Sequence, residues 1–340
     1  MIKRLTSLIL PTICKTPPRN VQIEPTNICN LRCPLCINSR IPENEKRHLK
    51  FDEFKFILSR FTYRINKIYL TNWGEPFLNP DIFEIIKCAK ERGIYISLSS
   101  NLNIKKDLID KIVKSGLDAI MLSIDGFSSE SYSKYRVGSD FNNVMENMLL
   151  LKKAKERRKS NNPKITWQFL VNRHNEREIR NAVEFAGKNG IKIAVSEMGL
   201  ADDMPEYNFR DLSELKKEWL PQNPGYVRNY YKGKIGYHLA ETVCPFLWNS
   251  VTVSVNMKVT PCCHTYTKES HFGDLTNNTV MEIWNNAKYR AARQLFNQKN
   301  FVAPIDLICG RCSNYVKGGG AYSYMKHYIK LLKDRAARLL

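Results

Sequence analysis

The sequence predicts an α/β protein: a partial, TIM-like (β/α)6 barrel followed by a small cysteine-rich α+β domain. Three observations carry this reading. From about residue 20 to residue 199, short apolar runs alternate with amphipathic stretches, the pattern of parallel strands and their covering helices. Residues 119–124, Ala-Ile-Met-Leu-Ser-Ile, form a continuous apolar run of the kind buried in a parallel sheet. The cysteines are bunched, three at 29–36, two adjacent at 262 and 263, and two at 309 and 312.

In chain order, residues 21–23 read as a strand and 51–61 as a helix. Residues 67–71 are a strand, and 80–92 a helix stopped by Gly93. A strand at 95–99 and a helix at 106–115 follow, the latter stopped by Gly116. After the strand at 119–124 come a long helix (141–159), a strand (165–171), a helix (176–189) and a strand (191–196). Six such units are too few for a full eight-unit barrel. Parallel units of this kind place their chemistry at the C-terminal ends of the strands. Residues 200–240, with Pro205, Pro221, Pro224 and Gly225, read as a linker. A domain at 241–316 holds a strand near 251–255, and a basic amphipathic helix occupies 317–340. Residues 1–19 are an N-terminal segment.

At 340 residues and 43% apolar, the composition excludes a disordered chain. The formal net charge of +20 raises three partners: nucleic acid, an acidic substrate, or an anionic membrane surface. No run of five basic residues occurs; residues 152–159 come closest and read as the exposed side of a helix. No aromatic stacking surface or nucleic-acid motif accompanies the charge, which disfavours nucleic acid. The last helix carries Met325, Tyr328, Ile329 and Leu332 on one stripe flanked by lysines, which admits peripheral membrane contact. No apolar run reaches the roughly 18 residues that span a bilayer. The N-terminal apolar stretch stops at Pro11 without a cleavage site, so the expectation is a cytoplasmic protein whose cysteines bind metal.

Cys29, Cys33 and Cys36 follow the first strand with spacing Cys-x3-Cys-x2-Cys. Three thiolates in one loop can hold three irons of a [4Fe–4S] cube and leave the fourth open. Zinc is the alternative, with His48 as the nearby fourth candidate. After the second strand comes Asn72-Trp73-Gly74-Glu75-Pro76. Ser99-Ser100-Asn101 ends the third strand and Ser123-Ile124-Asp125 the fourth. Cys244, Cys262, Cys309 and Cys312 can close a second four-thiolate site, for a cluster or for zinc.

These motifs resemble the radical S-adenosylmethionine superfamily, whose signature is the first cysteine spacing. The family's Gly-Gly-Glu motif is matched here at Gly74 and Glu75, with Trp73 replacing the first glycine, and Leu35 stands where an aromatic residue is usual. The resemblance implies that Glu75 meets the methionine ammonium and Gly74 allows close approach. It places Ser123 near the ribose, Asn101 and Asp125 near ribose or carboxylate, and Arg136 against the methionine carboxylate. The second set resembles the SPASM or twitch auxiliary-cluster domain, on Cys244-Pro-Phe-Leu-Trp248, Pro261-Cys262-Cys263, Trp284 and Cys309-Gly-Arg-Cys312. Cys262 is the expected ligand, with Cys263 able to replace it.

The resemblance implies two [4Fe–4S] clusters, S-adenosylmethionine, and an external one-electron reductant such as flavodoxin or ferredoxin. It implies reductive cleavage to a 5′-deoxyadenosyl radical and hydrogen abstraction from a substrate. Oxidation of a sugar or aminocyclitol is the leading expectation; a peptide-modifying maturase is the rival. A zinc-stabilised nucleic-acid-binding protein is the alternative of another class. His174, His264, His271, Glu197 and Glu241 are candidate bases, none of them singled out by its context.

Overall fold

The structure, a computed structural model, describes residues 11–198, 212–227, 244, 246–297 and 307–311. Six parallel strands form its first part: β1 (Asn20–Ile23), β2 (Lys67–Leu70), β3 (Tyr95–Ser100), β4 (Ala119–Ser123), β5 (Lys164–Val171) and β6 (Lys192–Glu197). They lie in sequence order, with Ile23 beside Leu70, Leu70 beside Leu98, and Leu98 beside Ile120. The helices between them are α1 (Phe51–Ser59), α2 (Ile82–Glu91), α3 (Leu108–Lys114), α4 (Ser129–Tyr135), α5 (Phe141–Arg157) and α6 (Ile179–Lys188). Each turns apolar residues toward one shared core, as Phe54 and Ile57 of α1 and Ile85 and Ile86 of α2 do.

α2 and α3 end where the sequence places their stops: Gly93 and Gly116 have φ of 68° and 80°, backbone that glycine adopts at little cost. α4 has no expected counterpart. Its sequence, Ser-Glu-Ser-Tyr-Ser-Lys-Tyr, is mostly polar, but Ser128 caps it by accepting from the Ser131 amide, and Tyr132 and Tyr135 anchor it inward. β4 is buried on one face only: Ile120 and Leu122 are covered, whereas Met121 remains 38% exposed. The other face is the open inner side of the partial barrel. The basic stretch at the end of α5 is largely paired on the surface, Arg157 and Arg158 with Asp110 and Lys152 with Glu156.

The sheet does not stop at six strands. β7 (Ser250–Val253) pairs parallel with β1, and β8 (Lys258–Thr260) and β9 (Gly273–Asp274) continue antiparallel, giving nine strands in the order β6-β5-β4-β3-β2-β1-β7-β8-β9. The stretch read as an irregular linker contains α7 (Leu212–Trp219) and a 3-10 turn at Pro224–Tyr226. Beyond it lie α8 (Phe246–Asn249), α9 (Val280–Trp284) and α10 (Ala287–Asn297). Arg293 of α10 is fully buried over the Trp284 ring, 4.4 Å away, and donates to the Leu247 and Thr12 carbonyls. Asn285 exchanges two hydrogen bonds with the Cys14 backbone, so residues 11–14 are tied to this second part. The helix expected at 317–340 lies outside the described residues. Among the described residues, no helix is long and apolar enough to cross a membrane.

Trp167 of β5 is fully buried and donates to the Ile124 carbonyl at 2.7 Å. Trp167→Ala removes both the packing and the donor at the strand end that leads to Asp125. A loss of about 3–5 kcal/mol is expected, measured by chemical denaturation of the iron-loaded protein.

Candidate active site

The three clustered cysteines sit in the loop that leaves β1, and neighbouring backbone fixes that loop tightly. Asn27 bridges three points: its amide donates to Glu45 O at 3.0 Å, its side-chain oxygen accepts from Arg47 N at 2.6 Å, and its carbonyl accepts from Asn38 Nδ2 at 2.6 Å. Cys36 N donates to Cys33 O, and Ser39 Oγ also reaches that carbonyl, at 3.0 Å. Arg32 N bonds Val137 O, joining the loop to the turn after α4.

Cys29, Cys33 and Cys36 line a cavity of about 120 Å³ with Gly74, Glu75, Ser99, Asn101, Ser123 and Arg136. The strand-end residues named from sequence are therefore brought together, with one exception. Asp125 is fully buried and does not line the cavity. It bonds Arg136 through Nε at 2.7 Å and through Nη2, and accepts from Leu170 N at 2.8 Å. The expected ligand contact at Asp125 is thus replaced by a positioning role. Arg136 is not a surface arginine: Asp125 holds it so that Nη1 faces Cys33 Sγ at 3.7 Å. Asn101 Nδ2 faces Cys29 Sγ at 3.8 Å.

Gly74 lines the cavity and also touches the cysteine loop. A Cβ there would lie 2.3 Å from Thr26 O and 2.7 Å from Ile28 O, backbone of the cysteine loop itself. Glycine is needed at 74 so that two loops can touch, with Glu75 N donating to Ile28 O at 2.9 Å. Glu75 is buried and accepts from Ser100 Oγ (2.8 Å), Asn101 N (2.7 Å) and Phe77 N (3.2 Å). Burial nevertheless pushes its carboxyl up to about 7. Ser99 Oγ and Ser123 Oγ are 3.1 Å apart on adjacent strand ends.

The donor set suits an iron–sulfur cube. Three thiols face the cavity and no imidazole does; His48, the candidate fourth zinc ligand, bonds Thr26 Oγ1 and lies outside it. Burial raises Cys29 to about 11 and Cys36 to about 12, and raises Cys33 against the opposing pull of Arg136. Iron binding must therefore displace protons. Among the described residues no three such side chains converge as one metal ion requires; in a cube each thiolate meets its own iron.

The loop is roofed by α7. Trp219, 2% exposed, packs with Leu215 and Leu220 against Leu31 and Cys33, its ring edge-on to Tyr135 at 5.4 Å and to His174 at 5.2 Å. His174, a candidate base, is thereby placed against Trp219 and outside the cavity. Leu212, Leu215 and Trp219, spaced i, i+3 and i+7, mark an amphipathic helix in the stretch read as a linker, but do not say what it covers.

In the second set, Cys244, Cys262 and Cys309 share one electrostatic environment, each acting on the fully buried Tyr289. Burial raises Cys262 well above the thiol range, with Cys263, Cys309 and Cys244 adding to it, whereas Cys263 feels chiefly its own burial. Thr260 Oγ1 and Thr265 Oγ1 hold the Cys262 carbonyl at 3.0 and 3.1 Å. Cys312 and Glu241 lie outside the described residues.

Two outcomes follow. Gly74→Ala is expected to lower bound iron from about eight atoms toward about four, because it displaces the loop that presents Cys29; iron analysis with an unchanged count would exclude this role. Glu75 binds its proton more tightly folded than unfolded, so its contribution to stability is full below pH ~4.5 and declines as the pH rises to about 7. Glu75→Gln should flatten the fall in denaturation midpoint across that window, by up to about 1.4 kcal/mol per pH unit, in iron-loaded protein without S-adenosylmethionine.

Comparison with known proteins agrees with this geometry. The radical SAM superfamily model matches residues 23–186, and the SPASM iron–sulfur cluster-binding domain matches residues 244–313. A probable GTP 3′,8-cyclase of Thermococcus kodakarensis is 28% identical over 211 residues, which are 61% of this chain and 64% of that protein. The match thus spans just under two thirds of that relative. A tungsten-containing aldehyde ferredoxin oxidoreductase cofactor-modifying protein of Pyrococcus furiosus is 24% identical over 319 residues, 86% of each chain. Streptococcus suis SuiB, solved with S-adenosylmethionine bound, superposes with a TM-score of 0.62 at 16% identity over 92% of this chain and 75% of SuiB, a likeness of fold. The chain belongs to the radical SAM superfamily and carries a C-terminal SPASM domain, with [4Fe–4S] clusters and S-adenosylmethionine as the cofactors those domains imply.

Proposed function

We propose that this enzyme oxidises a polar small molecule of the sugar or aminocyclitol kind. The bound cofactors supply reductive cleavage of S-adenosylmethionine, the 5′-deoxyadenosyl radical that takes a substrate hydrogen atom, and a second one-electron carrier. The carrying observation is a second cysteine set, Cys244, Cys262 and Cys309, that lies outside the first cavity and within the segment matched by the SPASM iron–sulfur cluster-binding domain. With Cys312 as the fourth thiolate, that site is closed by protein and suits electron transfer better than substrate binding.

The residues of the chain bind and orient. Cys29, Cys33 and Cys36 hold the first cluster, and Glu75 receives the methionine ammonium. Arg136, steadied by Asp125, presents charge to the methionine carboxylate, while Ser99, Asn101 and Ser123 face the nucleoside. The α7 roof keeps water from the cysteine loop. The electron comes from a flavodoxin or ferredoxin, and the free thiols of both sets suit the cytoplasm. The rival reading, a peptide-modifying maturase, uses the same residues and differs in substrate.

Cys309→Ala is expected to leave 5′-deoxyadenosine formation at least half intact while oxidised product falls at least ten-fold, as read by chromatography of anaerobic reactions. Parallel loss of both would remove the acceptor role. Hyperfine coupling of a labelled substrate atom to the second cluster would make that cluster a substrate anchor instead.

A further inference from the structure

A larger cavity, about 540 Å³, opens beside the first. Its walls are the 44–47 stretch beyond the cysteine loop, the β7–β8 turn at 254–256, and the 265–271 loop. Asn72 lines both cavities. Thr260 and Thr265, which hold the Cys262 carbonyl, line the other side. The space therefore lies between the two cysteine sets, where a substrate would have to sit to meet both.

Its inner wall carries Glu24, the residue that follows β1. Glu24 is 1% exposed. It accepts from Val255 N at 3.0 Å and from Trp73 N at 3.4 Å. Among the described residues it has no ion pair. Nearby cations are engaged or peripheral: Arg47 pairs with Glu53, Lys46 pairs with Glu43, and Lys268 stands exposed at the rim. His271 also lines the cavity, and burial and the neighbouring Lys258 and Lys288 hold it low, toward neutral imidazole. Glu45 and Tyr266 complete the titratable groups facing the space.

We propose that this cavity binds an amine-bearing polar substrate, whose ammonium is received by Glu24. A buried carboxylate without a counter-charge is costly, and a cation placed beside it removes that cost. A neutral hydroxyl can hydrogen-bond the protonated acid but supplies no counter-charge when the acid ionises. Burial pushes Glu24 up to about 7, so an arriving ammonium meets a largely half-protonated acid near neutral pH and expels its proton. Glu75 shows the same arrangement in the first cavity: a buried carboxyl, protein donors and no ion pair among the described residues. The two acids thus define two ammonium positions, one on each side of the 72–74 segment. Beside these charged groups, the larger cavity offers amides and hydroxyls from Asn44, Ser254, Asn256 and Thr267, which suit a hydroxylated frame or a peptide backbone. This inference rests on the reading of the enzyme as acting on a polar substrate between the clusters, and adds its defining group.

The test uses the holoenzyme with both clusters and S-adenosylmethionine, by anaerobic titration calorimetry at pH 7. The probes are 2-deoxystreptamine, scyllo-inositol and a lysine-containing pentapeptide. At least one amine probe is expected to bind ten-fold or more tighter than inositol, with proton release seen as a buffer-dependent heat. Preference for the aminocyclitol identifies a small-molecule amine, and preference for the peptide identifies a lysine side chain. In E24Q the preference should shrink toward unity. Equal binding of amine and inositol by the unmodified protein, absence of proton release, or an undiminished preference in E24Q would each overturn the proposal. The wild-type measurements decide the matter even if E24Q does not fold. Uncoupled cleavage of S-adenosylmethionine by the reduced wild-type protein is scored separately: its loss counts against the proposed function, whereas its presence without amine preference counts against the Glu24 site alone.

Discussion

Strand β1 is hydrogen-bonded along both edges, with Val21 beside Ile68 of β2 on one side and beside Val251 of β7 on the other. Its backbone is thereby satisfied, and Val21 and Ile23 are fully buried. The chain leaving its C-terminal end is consequently held in place before any side chain acts. Glu24 N donates to Val253 O at 2.9 Å, and five residues later the loop presents Cys29. The same strand thus carries the first cysteine set and abuts the element leading to the second. The distance between the two sets is governed by sheet spacing and not by a flexible linker.

Three buried acids at these strand ends show how one residue type takes different roles. Asp125 meets a guanidinium and is neutralised by it. The pairing orients Arg136 toward Cys33, where its charge favours the thiolate form that iron binds. Glu24 and Glu75 have no ion pair among the described residues; hydrogen-bond donors, and for Glu75 the charge of Arg136, oppose burial, but burial dominates and raises both to about 7. A paired acid is a fixed part of the scaffold. An unpaired one stays protonated to higher pH.

The alternation of strands and helices was legible because each unit buries its own apolar face locally, and the cysteine loop because its spacing is compact. What sequence could not show depends on contacts between distant segments. The pairing of β1 with β7 joins residues some 230 apart, and neither strand's local pattern names its partner. α4 escaped notice because only Tyr132 and Tyr135 carry its apolar face. The glycine at 74 marks a close approach, but sequence does not show that the Thr26–Ile28 backbone packs there. Asp125 and Arg136 were each assigned to a ligand; eleven positions apart, they could equally satisfy one another, and the geometry at the β4 end makes them do so.

The shared sheet also sets a timetable for biogenesis. At roughly 5–20 residues per second of synthesis, β1 emerges on the order of ten to forty-five seconds before β7. During that interval β2 can cover one edge, while the other presents unpaired amides and carbonyls flanked by buried-type Val and Ile side chains. Such an edge is a template for pairing with any passing extended chain. The final strands therefore act as an intramolecular cover as well as a cluster support, and a chain terminated before Ser250 would keep that edge open for its whole lifetime.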